Sequence, residues 1–479
     1  MGTSLSRRRQ WLVLFTVTVS VFMSTLDSSI INIALPSISK ELSADINAIQ
    51  WIVTSYLLTI STLLPIWGRL SDMYGRKNIF VAGFFIFTLG STLCGFSSSL
   101  GILVLSRVIQ ALGASCMMAL SQGIIATTFA PEERGRALGI NGAAVAIGNL
   151  SGPAIGGVLV HAYGWESIFF VNLPVGIAGV ILSILIIPAE EKQKNTSIVN
   201  MDYKGSLAFM VAVLLLFTSL LLIQENSISA TQFIIMFLVS IIAWFIFIVI
   251  EKKINHPLID LKLFYNPVFT LGIFSAFFSF IAIFTTSFFT PFYLQNVLSL
   301  DTLEAGIIMA TFPFTTAFVA PISGWLSDRF SYKVLTSTGL MINAISLFIM
   351  SWFSQSTSPY ITAIFLIFLG VGSGLFQSPN TSSIMRSVSK NRLGIAGSIN
   401  ALFRNLGMVT GITLSIILFT LSTRVNINNM VDEGSAFNVS VFLKGFRIVM
   451  IFASASCLSG FILSIRRATW KKDEESTNN

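Results

Sequence analysis

The sequence predicts an all-α integral membrane protein with fourteen membrane-spanning helices in two related halves. Of its 479 residues, 54% are hydrophobic and only 10% are charged, and the mean hydropathy is +0.81. Soluble domains are about 25% charged, so this chain has too few polar side chains to cover a soluble globule of its size. Fourteen apolar runs and an internal repeat indicate the number and the grouping of the helices.

The composition also excludes several classes of protein. Two histidines and three cysteines are too few for a disulfide-stapled scaffold or for a metal centre with several His or Cys ligands. The 42 phenylalanines and the low charge exclude a disordered chain. The chain has no Gly-x-x-x-x-Gly-Lys-Ser/Thr loop, so no ATP site is expected. We therefore expect no metal and no cofactor.

Each apolar run is long enough to cross a bilayer as a helix, which takes about 20 residues. The runs lie near residues 11–37, 48–68, 78–97, 101–129, 136–160, 167–188, 205–223, 231–250, 267–296, 304–326, 333–353, 360–384, 394–422 and 442–465. Because their number is even, we expect both ends of the chain on the same side of the membrane.

The lysines and arginines are distributed very unevenly around these runs. Of the 29, 23 lie in the two tails and the even-numbered connections, four lie inside runs, and only Lys40 and Arg424 lie on the opposite side. Short cytoplasmic loops carry an excess of basic residues. The distribution therefore predicts a multi-pass protein with both termini in the cytoplasm, and we expect it in the cell membrane of a bacterium. It also accounts for the net charge of +8, so no nucleic-acid partner is expected.

One cytoplasmic loop sequence occurs twice. GRLSDMYGRK at 68–77 follows the second run, and GWLSDRFSYK at 324–333 follows the tenth, so that Asp72 and Asp328 are 256 residues apart. Parallel repeats of this kind build substrate sites near the membrane midplane in one transporter architecture. The repeat predicts an N-terminal six-helix bundle at 1–190, an inserted two-helix hairpin with cytoplasmic linkers at 191–262, and a C-terminal six-helix bundle with a cytoplasmic tail at 263–479.

Asp27 is the only one of the 21 acidic residues that falls deep within an apolar run. A buried carboxylate costs several kcal/mol unless it is paired or neutralised, so an acid at this depth indicates a functional site. Asp27 lies about 13 Å below the outer end of its run, and Arg107 lies about 10 Å into the fourth run. An ion pair between them is therefore feasible, and it would keep the carboxyl group ready for an arriving proton. A purely structural ion pair is the alternative.

Four stretches of the sequence follow the patterns of a known family. They lie at 26–36 in the first run, 68–77 in the loop, 107–115 in the fourth run and 148–157 in the fifth. Together they resemble the fourteen-helix drug:proton antiporter branch of the major facilitator superfamily, along essentially the whole chain. The resemblance implies the major facilitator fold, with two pseudo-symmetric six-helix bundles and two inserted helices, and it places Asp27 beside Arg107.

The chain departs from the family pattern at two places within or near these stretches. Ala111 stands where a glycine is usual, and Glu166 with Ser167 stands where a basic residue is usual. We expect the second departure to have only a local effect.

The resemblance implies that the loop sequence is a conformational latch. The second copy has Ser331 and Tyr332 where the first has a glycine and an arginine, so we expect the first copy to hold more strongly. The predicted latch residues are Gly68, Asp72, Gly75, Arg76, Lys77 and Asp328.

The stretch in the fifth run resembles the motif that marks exporters rather than importers. Small residues four apart also let helix backbones approach closely, and close packing alone is the simpler interpretation. The predicted exporter motif consists of Gly148, Gly152, Pro153, Gly156 and Gly157.

The candidate substrate cavity combines polar and aromatic residues. At helical spacing, Gln110 and Met118 share a face of the fourth run with Arg107, and Asn400 and Arg404 share a face of the thirteenth. Family analogy places the aromatic ninth run at the cavity. The candidates are Ser24, Gln110, Met118, Phe288, Phe292, Gln295, Phe314, Gln377, Asn380, Asn400 and Arg404. Contact with lipid is the alternative for each aromatic ring, and capping of helix carbonyls is the alternative for Arg404.

These features predict a transporter and not an enzyme. We expect a monomeric, proton-coupled antiporter that exports amphipathic small molecules by alternating access. Its substrates would be monovalent cationic, zwitterionic or neutral lipophilic compounds such as dyes, antiseptics and quinolones, and its partners would be the substrate, protons and the lipid bilayer.

Two alternatives to drug export stay open. The first is export of an endogenous amphiphile such as a fatty acid or a lipid precursor. A non-transporting membrane sensor is a remote alternative. A membrane enzyme is disfavoured because His161 and His256 lie on opposite sides of the predicted topology and could not act together.

Overall fold

A computed structural model describes residues 6–42, 46–130, 133–188, 202–224, 228–254, 258–259, 261–300, 302–389, 392–423 and 438–477. Within these ranges the secondary structure is helical throughout, without a strand. The all-α prediction is confirmed for this part of the chain.

The first half of the chain forms seven helices up to residue 186. They are α1 (Arg7–Glu41), α2 (Ile46–Tyr74), α3 (Arg76–Gly95), α4 (Leu100–Thr128), α5 (Arg134–Tyr163), the short α6 (Ser167–Phe170) and α7 (Asn172–Ile186). The inserted pair follows as α8 (Tyr203–Gln224) and α9 (Ala230–Lys253). A short 3₁₀ helix at Leu261–Tyr265 leads into the second half.

The second half forms six long helices. They are α10 (Pro267–Phe292), α11 (Thr302–Arg329), α12 (Tyr332–Met350), α13 (Pro359–Arg386), α14 (Leu393–Thr423) and α15 (Val439–Thr477). One π-helical turn at Tyr293–Val297 follows α10 directly.

Thirteen helical segments of the described chain are long and apolar enough to cross a membrane. Each coincides with one of the fourteen predicted apolar runs, and the remaining run, 136–160, lies on α5. The chain is therefore a multi-pass membrane protein, as its hydropathy predicts.

Several helix boundaries differ from the apolar runs, and three of them bear on the site or on the core of the second half. The helix α1 continues past Pro36 to Glu41, whereas the run ends at 37. The ninth run is not one α-helix, because α10 changes to a π-helical turn directly after Pro291 and Phe292. Proline has no backbone N–H to donate, so a helix that contains one readily departs from regular bonding. The helix α15 continues beyond 465, so Arg467 lies within a helix rather than in a free tail.

The chain divides by packing into two compact units. Unit 1 is Met1–Asn266 with Met385–Leu402, and it contains α1 to α9 and the first part of α14. The inserted pair, α8 and α9, belongs to this unit. Its two helices pack on each other, with Phe209 of α8 against the rings of Trp244 and Phe247 of α9. The three-part division of the chain at 190 and 262 stays a prediction. It describes the repeat in the sequence, whereas the packing of the structure groups α8 and α9 with unit 1.

Unit 2 is Pro267–Ile384 with Phe403–Asn479. Aromatic side chains fill much of its core. The ring of Tyr293 stacks on that of Phe446 with a centroid distance of 5.0 Å, and Phe289 packs on Phe419 at 5.3 Å. The Tyr293 hydroxyl donates a hydrogen bond to the carbonyl of Ser354 at 2.8 Å, so this buried phenol is satisfied while its ring stays in the core.

Candidate functional site

The structure brings Asp27 and Arg107 together in the interior of unit 1. The Nη1 atom of Arg107 donates to Oδ2 of Asp27 at 2.5 Å. The two side chains are 0% and 1% exposed, respectively. Apart from Asp202 and Glu251 at the ends of α8 and α9, Asp27 is the only buried carboxylate among the described side chains. The pair therefore sits in the position that an intramembrane charge needs, where a partner replaces water.

Two amides complete the environment of the carboxylate. Gln110 donates from Nε2 to Oδ1 of Asp27 at 2.7 Å, and Asn172 donates from Nδ2 to the same oxygen at 3.0 Å. An ionised carboxylate only accepts hydrogen bonds, whereas a protonated one must also donate. Three N–H donors with no acceptor therefore suit the charged form of Asp27.

Arg107 is held by a neighbouring backbone and an aromatic ring. Its Nε atom donates to the carbonyl of Ile52 at 3.3 Å, and its Nη1 atom also reaches Oε1 of Gln110 at 2.8 Å. The guanidinium carbon lies 4.1 Å from the ring centroid of Tyr56 on the same helix as Ile52. A planar cation over an aromatic face is a favourable contact. Within the described chain, Nη2 of Arg107 has no hydrogen-bond partner.

A second layer of polar contacts orients the amides. Asn172 also donates to Oγ of Ser91 at 3.1 Å, and Ser91 donates to the carbonyl of Phe169 at 2.8 Å. The thiol of Cys94 lies 3.7 Å from Oε1 of Gln110. Side chains from α1, α2, α3, α4 and α7 thus meet around one carboxylate.

Sequence reasoning missed Asn172, Tyr56 and Ser91. Asn172 is the one residue of this set with a visible signal, because it is an amide near the start of an otherwise apolar run. Tyr56 and Ser91 carry no charge, and only the fold shows that they contact Arg107 and Asn172.

Glycines let the neighbouring helices come close enough for these bonds. A Cβ atom on Gly90 of α3 would overlap the backbone of Gln110 on α4. A Cβ atom on Gly113 would overlap the backbone of Phe87 in the same way. Close α3–α4 packing at these two levels places Gln110 within reach of Asp27.

The predicted exporter motif lies against α1 on both sides of Asp27. A Cβ atom on Gly148 would overlap Oγ1 of Thr25, and one on Gly152 would overlap Oγ of Ser29. The Ser29 hydroxyl also donates to the carbonyl of Gly148 at 3.1 Å. The glycine spacing thus sets the distance between α5 and the helix that carries the acid.

Of the other two glycines of that motif, only Gly156 also lies close to α1. A Cβ atom on Gly156 would lie 2.7 Å from Cγ1 of Ile30, whereas one on Gly157 would meet nothing within 4 Å. The side chain of Pro153 lies outside the described residues. Gly157 is therefore not needed for the close approach to α1.

The first loop motif joins the ends of several helices of unit 1. Gly75 has φ +86°, a conformation that favours glycine, and it begins α3. Arg76 is buried and donates to Oγ1 of Thr127 at 3.3 Å, and Lys77 donates to the carbonyl of Ile184 at 2.6 Å. Gly68 accepts a hydrogen bond from Ser71 through its carbonyl. The side chains of Asp72 and Asp328 lie outside the described residues.

At the second loop motif, a basic residue from another helix stands beside Tyr332. The guanidinium carbon of Arg467 lies 4.9 Å from the Tyr332 ring centroid. Arg467 also donates to Oδ1 of Asn380 at 2.7 Å and to Oγ of Ser383. Asn380 in turn donates to the carbonyl of Gly272 at 3.1 Å. Asn380, a predicted cavity residue, is thus held in a network that joins α10, α13 and α15.

The remaining polar cavity candidates with described side chains make contacts apart from the Asp27 network. Ser24 donates to the carbonyl of Ser20 on its own helix, and Met118 is half-buried. Asn400 donates from Nδ2 to Oε1 of Gln122 at 2.9 Å, and within the described chain its Oδ1 atom has no hydrogen-bond partner. Among the described side chains of this predicted set, Gln110 is the one that joins the Asp27 network.

The candidates in unit 2 are dispersed over its helices. The rings of Phe288 and Phe292 pack on each other at 5.5 Å beside the aromatic core, and Gln377 is half-buried. Phe314 is 55% exposed. The guanidinium carbon of Arg404 lies 4.7 Å from the Phe280 ring centroid. The side chain of Gln295 lies outside the described residues.

Comparison with known proteins gives concordant matches. The family model of the Major Facilitator Superfamily matches residues 17–412. The riboflavin transporter RibZ of Clostridioides difficile (strain 630) is 34% identical over 458 residues, which cover 96% of this chain and 97% of RibZ. The multidrug transporter protein MdtP of Bacillus subtilis (strain 168) is 30% identical over 407 residues, which cover 85% of this chain and 74% of MdtP.

A solved structure shares the same architecture. The human organic anion transporter MFSD10 aligns with a TM-score of 0.68 over 95% of this chain and 99% of that chain, at 14% sequence identity. At this identity the match shows the fold alone.

Proposed function

Because the chain belongs to the major facilitator superfamily, whose members are transporters and not enzymes, we propose that it exports amphipathic small molecules in exchange for protons. The match to the family model and the likeness to a solved transporter structure confirm the family and the fold predicted from the sequence. In this proposal the transporter lies in the cell membrane. Both of its termini lie in the cytoplasm, the orientation that the distribution of its basic residues favours.

The observation that carries this proposal is the environment of Asp27. Its three donors, Arg107, Gln110 and Asn172, are matched to an ionised carboxylate. A proton on Asp27 would remove the negative charge that holds Arg107 and would turn one acceptor oxygen into a donor. Protonation therefore changes the bonding of α1 and α4 at the same moment, which is what coupling to transport requires.

In each turn of the proposed cycle, Asp27 gains one proton and later loses it. Substrate from the cytoplasm or the inner leaflet enters while Asp27 is ionised and paired with Arg107. After the outward transition, an external proton neutralises Asp27 and the substrate leaves. Return to the cytoplasmic state releases the proton inside and restores the ion pair.

The charge of the interior limits the substrates. Asp27 is already paired with Arg107, and Arg404 adds a further positive charge in unit 2. A strongly negative site for dications is therefore absent from the described interior, and monovalent cations, zwitterions and neutral lipophiles fit better. The similarity over 85% of the chain to MdtP, which is named a multidrug transporter, supports drugs as substrates.

Transport in liposomes tests the proposal directly. Purified protein is reconstituted with an internal pH dye, and flux of ethidium and of protons is followed together under an imposed pH gradient. Coupled fluxes are expected for the native chain and none for Asp27→Asn, which should still fold and insert. Ser20→Ala is the matched control, because that buried hydroxyl bonds only to the carbonyl of Val17 in its own helix. Full gradient-driven efflux by Asp27→Asn would remove Asp27 from the mechanism.

Riboflavin transport is a second candidate function, favoured by the similarity to RibZ over 96% of the chain. Labelled riboflavin and ethidium compete in the same liposomes to separate the two. Riboflavin counterflow that ethidium does not reduce, without any ethidium flux, would favour a dedicated flavin transporter. Ethidium flux that riboflavin does not affect would favour drug export.

A further inference from the structure

Arg404 differs from Arg107 and Arg467, two other arginines of the membrane helices, in what surrounds its charge. Arg107 bonds to Asp27, and Arg467 bonds to Asn380, so each of these cations has a partner within the protein. Arg404 is half-buried, and its guanidinium makes no hydrogen bond or ion pair with any residue that the structure describes. Capping of helix carbonyls, the alternative that the sequence left open for Arg404, is therefore not found in this part of the chain.

Arg404 lies deep in the membrane-spanning part of α14. It is eleven residues from Leu393, where the helix begins, and nineteen from Thr423, where the helix ends. At the rise of an α-helix these separations are about 16 and 28 Å. An arginine near a helix end can extend its charge to the membrane surface, whereas one at this depth needs a partner or a water-filled cavity.

Close packing on α10 fixes the part of α14 that carries Arg404. A Cβ atom on Gly407 would lie 2.6 Å from the carbonyl oxygen of Phe277, and one on Gly411 would lie 2.5 Å from that of Ile281. Glycine at both positions lets the two helix backbones touch. The position of Arg404 along α10 is therefore set by backbone packing and does not depend on bonds of its own side chain.

The surroundings of the guanidinium on α10 are aromatic. Its carbon lies 4.7 Å from the ring centroid of Phe280, and the Phe280 ring stacks on the half-buried ring of Phe284 at 6.4 Å. A ring face attracts a cation but supplies neither an acceptor oxygen nor a negative charge. The five N–H donors of the Arg404 guanidinium are therefore left for another group.

We propose that Arg404 binds the carboxylate of an exported compound, and that the transporter therefore prefers zwitterionic substrates to monovalent cations of the same shape. A carboxylate accepts two parallel N–H bonds from a guanidinium. An attached aromatic group packs on Phe284. A cation without a carboxylate meets only the repulsion of Arg404. This proposal rests on the proposed export of amphipathic compounds and narrows its substrate class, but it does not need the coupling to protons.

Equilibrium dialysis of the full-length protein in detergent, at constant neutral pH, tests the proposal. Norfloxacin, which is a zwitterion, is compared with its ethyl ester, in which the carboxylate is masked and the cation remains. The native protein should bind norfloxacin at least about ten-fold more tightly than the ester, the effect of one charge-assisted contact. Arg404→Gln should abolish this preference. Because the assay involves no proton gradient and no flux, a failure of proton coupling would leave its result unchanged.

Lys444→Gln is the matched control, because it removes an exposed cation from α15 of the same unit, and it should keep the native preference. Arg404→Gln should unfold at no lower temperature than the native protein, since no bond to the protein is lost. A large drop in that temperature would reveal a structural partner and overturn the proposal.

Three binding results would also overturn it. The first is equal affinity of the native protein for norfloxacin and its ester, or no binding of norfloxacin at all. The second is a preference that Arg404→Gln retains or that Lys444→Gln loses equally. The third is displacement of norfloxacin by acetate at equal concentration, because the aromatic part of the substrate would then contribute nothing.

Discussion

Burial of the Asp27–Arg107 pair has an energetic consequence at the scale of single residues. Taking both charges out of water costs several kcal/mol per ion, and only good geometry with further hydrogen bonds repays it. Here Gln110, Asn172 and the carbonyl of Ile52 supply those bonds. Loss of Arg107 alone, which leaves the carboxylate without its cation, should therefore harm the protein more than loss of both charges.

We predict that Arg107→Met lowers the free energy of unfolding by about 3–5 kcal/mol, because Asp27 is left buried and unpaired. The double variant Asp27→Asn with Arg107→Met should recover most of that loss, since no buried charge remains. Thermal and denaturant unfolding of the purified variants in detergent measure both. Additive losses in the double variant would show that the two side chains are not energetically coupled.

The face of the Tyr56 ring contacts the guanidinium of Arg107, and this contact should contribute to the stability of the protein. Tyr56→Phe keeps a ring 4.1 Å from the Arg107 guanidinium carbon, whereas Tyr56→Leu removes it. We predict that the leucine variant loses about 0.5–2 kcal/mol more stability than the phenylalanine variant. The difference should shrink in an Arg107→Met background, where no cation remains. Equal losses in both backgrounds would indicate that Tyr56 acts by filling space alone.

The charged residues of the site were predictable from the sequence, and so was Gln110, which shares a helix face with Arg107, whereas the other uncharged residues were not. Asp27 and Arg107 interrupt apolar runs, and their depths could be compared by counting turns. Asn380 shows the limit of that reasoning. A polar residue in an apolar run could face a cavity or another helix, and here it bonds Arg467 and the carbonyl of Gly272. The sequence alone does not show which neighbour a helix face meets.

At the scale of elements, the packing of α5 on α1 is the most constrained contact near the site. Gly148 and Gly152 of α5 meet side chains of α1 that lie two residues to either side of Asp27. Any change that separates the two helices also moves the carboxylate relative to Arg107. Close packing and the proposed role in export therefore involve the same atoms.

We predict that Gly152→Ala destabilises the protein by about 1–3 kcal/mol, because its Cβ atom would overlap Oγ of Ser29 and force the helices apart. Gly157→Ala is the matched control. It adds the same methyl group five residues further along α5, where nothing lies within 4 Å, and its stability should stay within about 0.5 kcal/mol. Unfolding measurements compare the two, and the Ser29→Gly background should reduce the effect of Gly152→Ala. Equal losses in both alanine variants would refute the packing argument.

The helices themselves were predictable because membrane-spanning segments need long apolar runs. All thirteen candidate spans coincide with predicted runs. The ends of the helices were less predictable, because hydropathy indicates which residues lie in the membrane and not where the helical hydrogen bonds of the backbone end. The continuation of α1 past Pro36 and the π-helical turn at Tyr293–Val297 are two such cases.

At the scale of the whole molecule, the orientation of the chain can be checked with its own cysteines as a silent background. Cys94, Cys116 and Cys457 are all buried. We predict that Gln355→Cys, in the connection between α12 and α13, reacts with an impermeant maleimide in intact cells. Ser389→Cys, in the connection after α13, should react only after the cells are permeabilised. Both native residues are exposed, so neither result depends on local unfolding. The reverse pattern would place the termini outside.

Asp27, the carboxylate that carries the proton in the proposed exchange, also fixes the electrical balance of that exchange. If one proton enters for each molecule that leaves, export of a monovalent cation moves no net charge, whereas export of a neutral compound carries one positive charge inward. One charge that crosses 100 mV is worth about 2.3 kcal/mol. Voltage should therefore drive the efflux of neutral compounds and leave that of monovalent cations unchanged. The membrane potential and the pH gradient together would then power the export of neutral compounds, whereas the pH gradient alone would power that of monovalent cations.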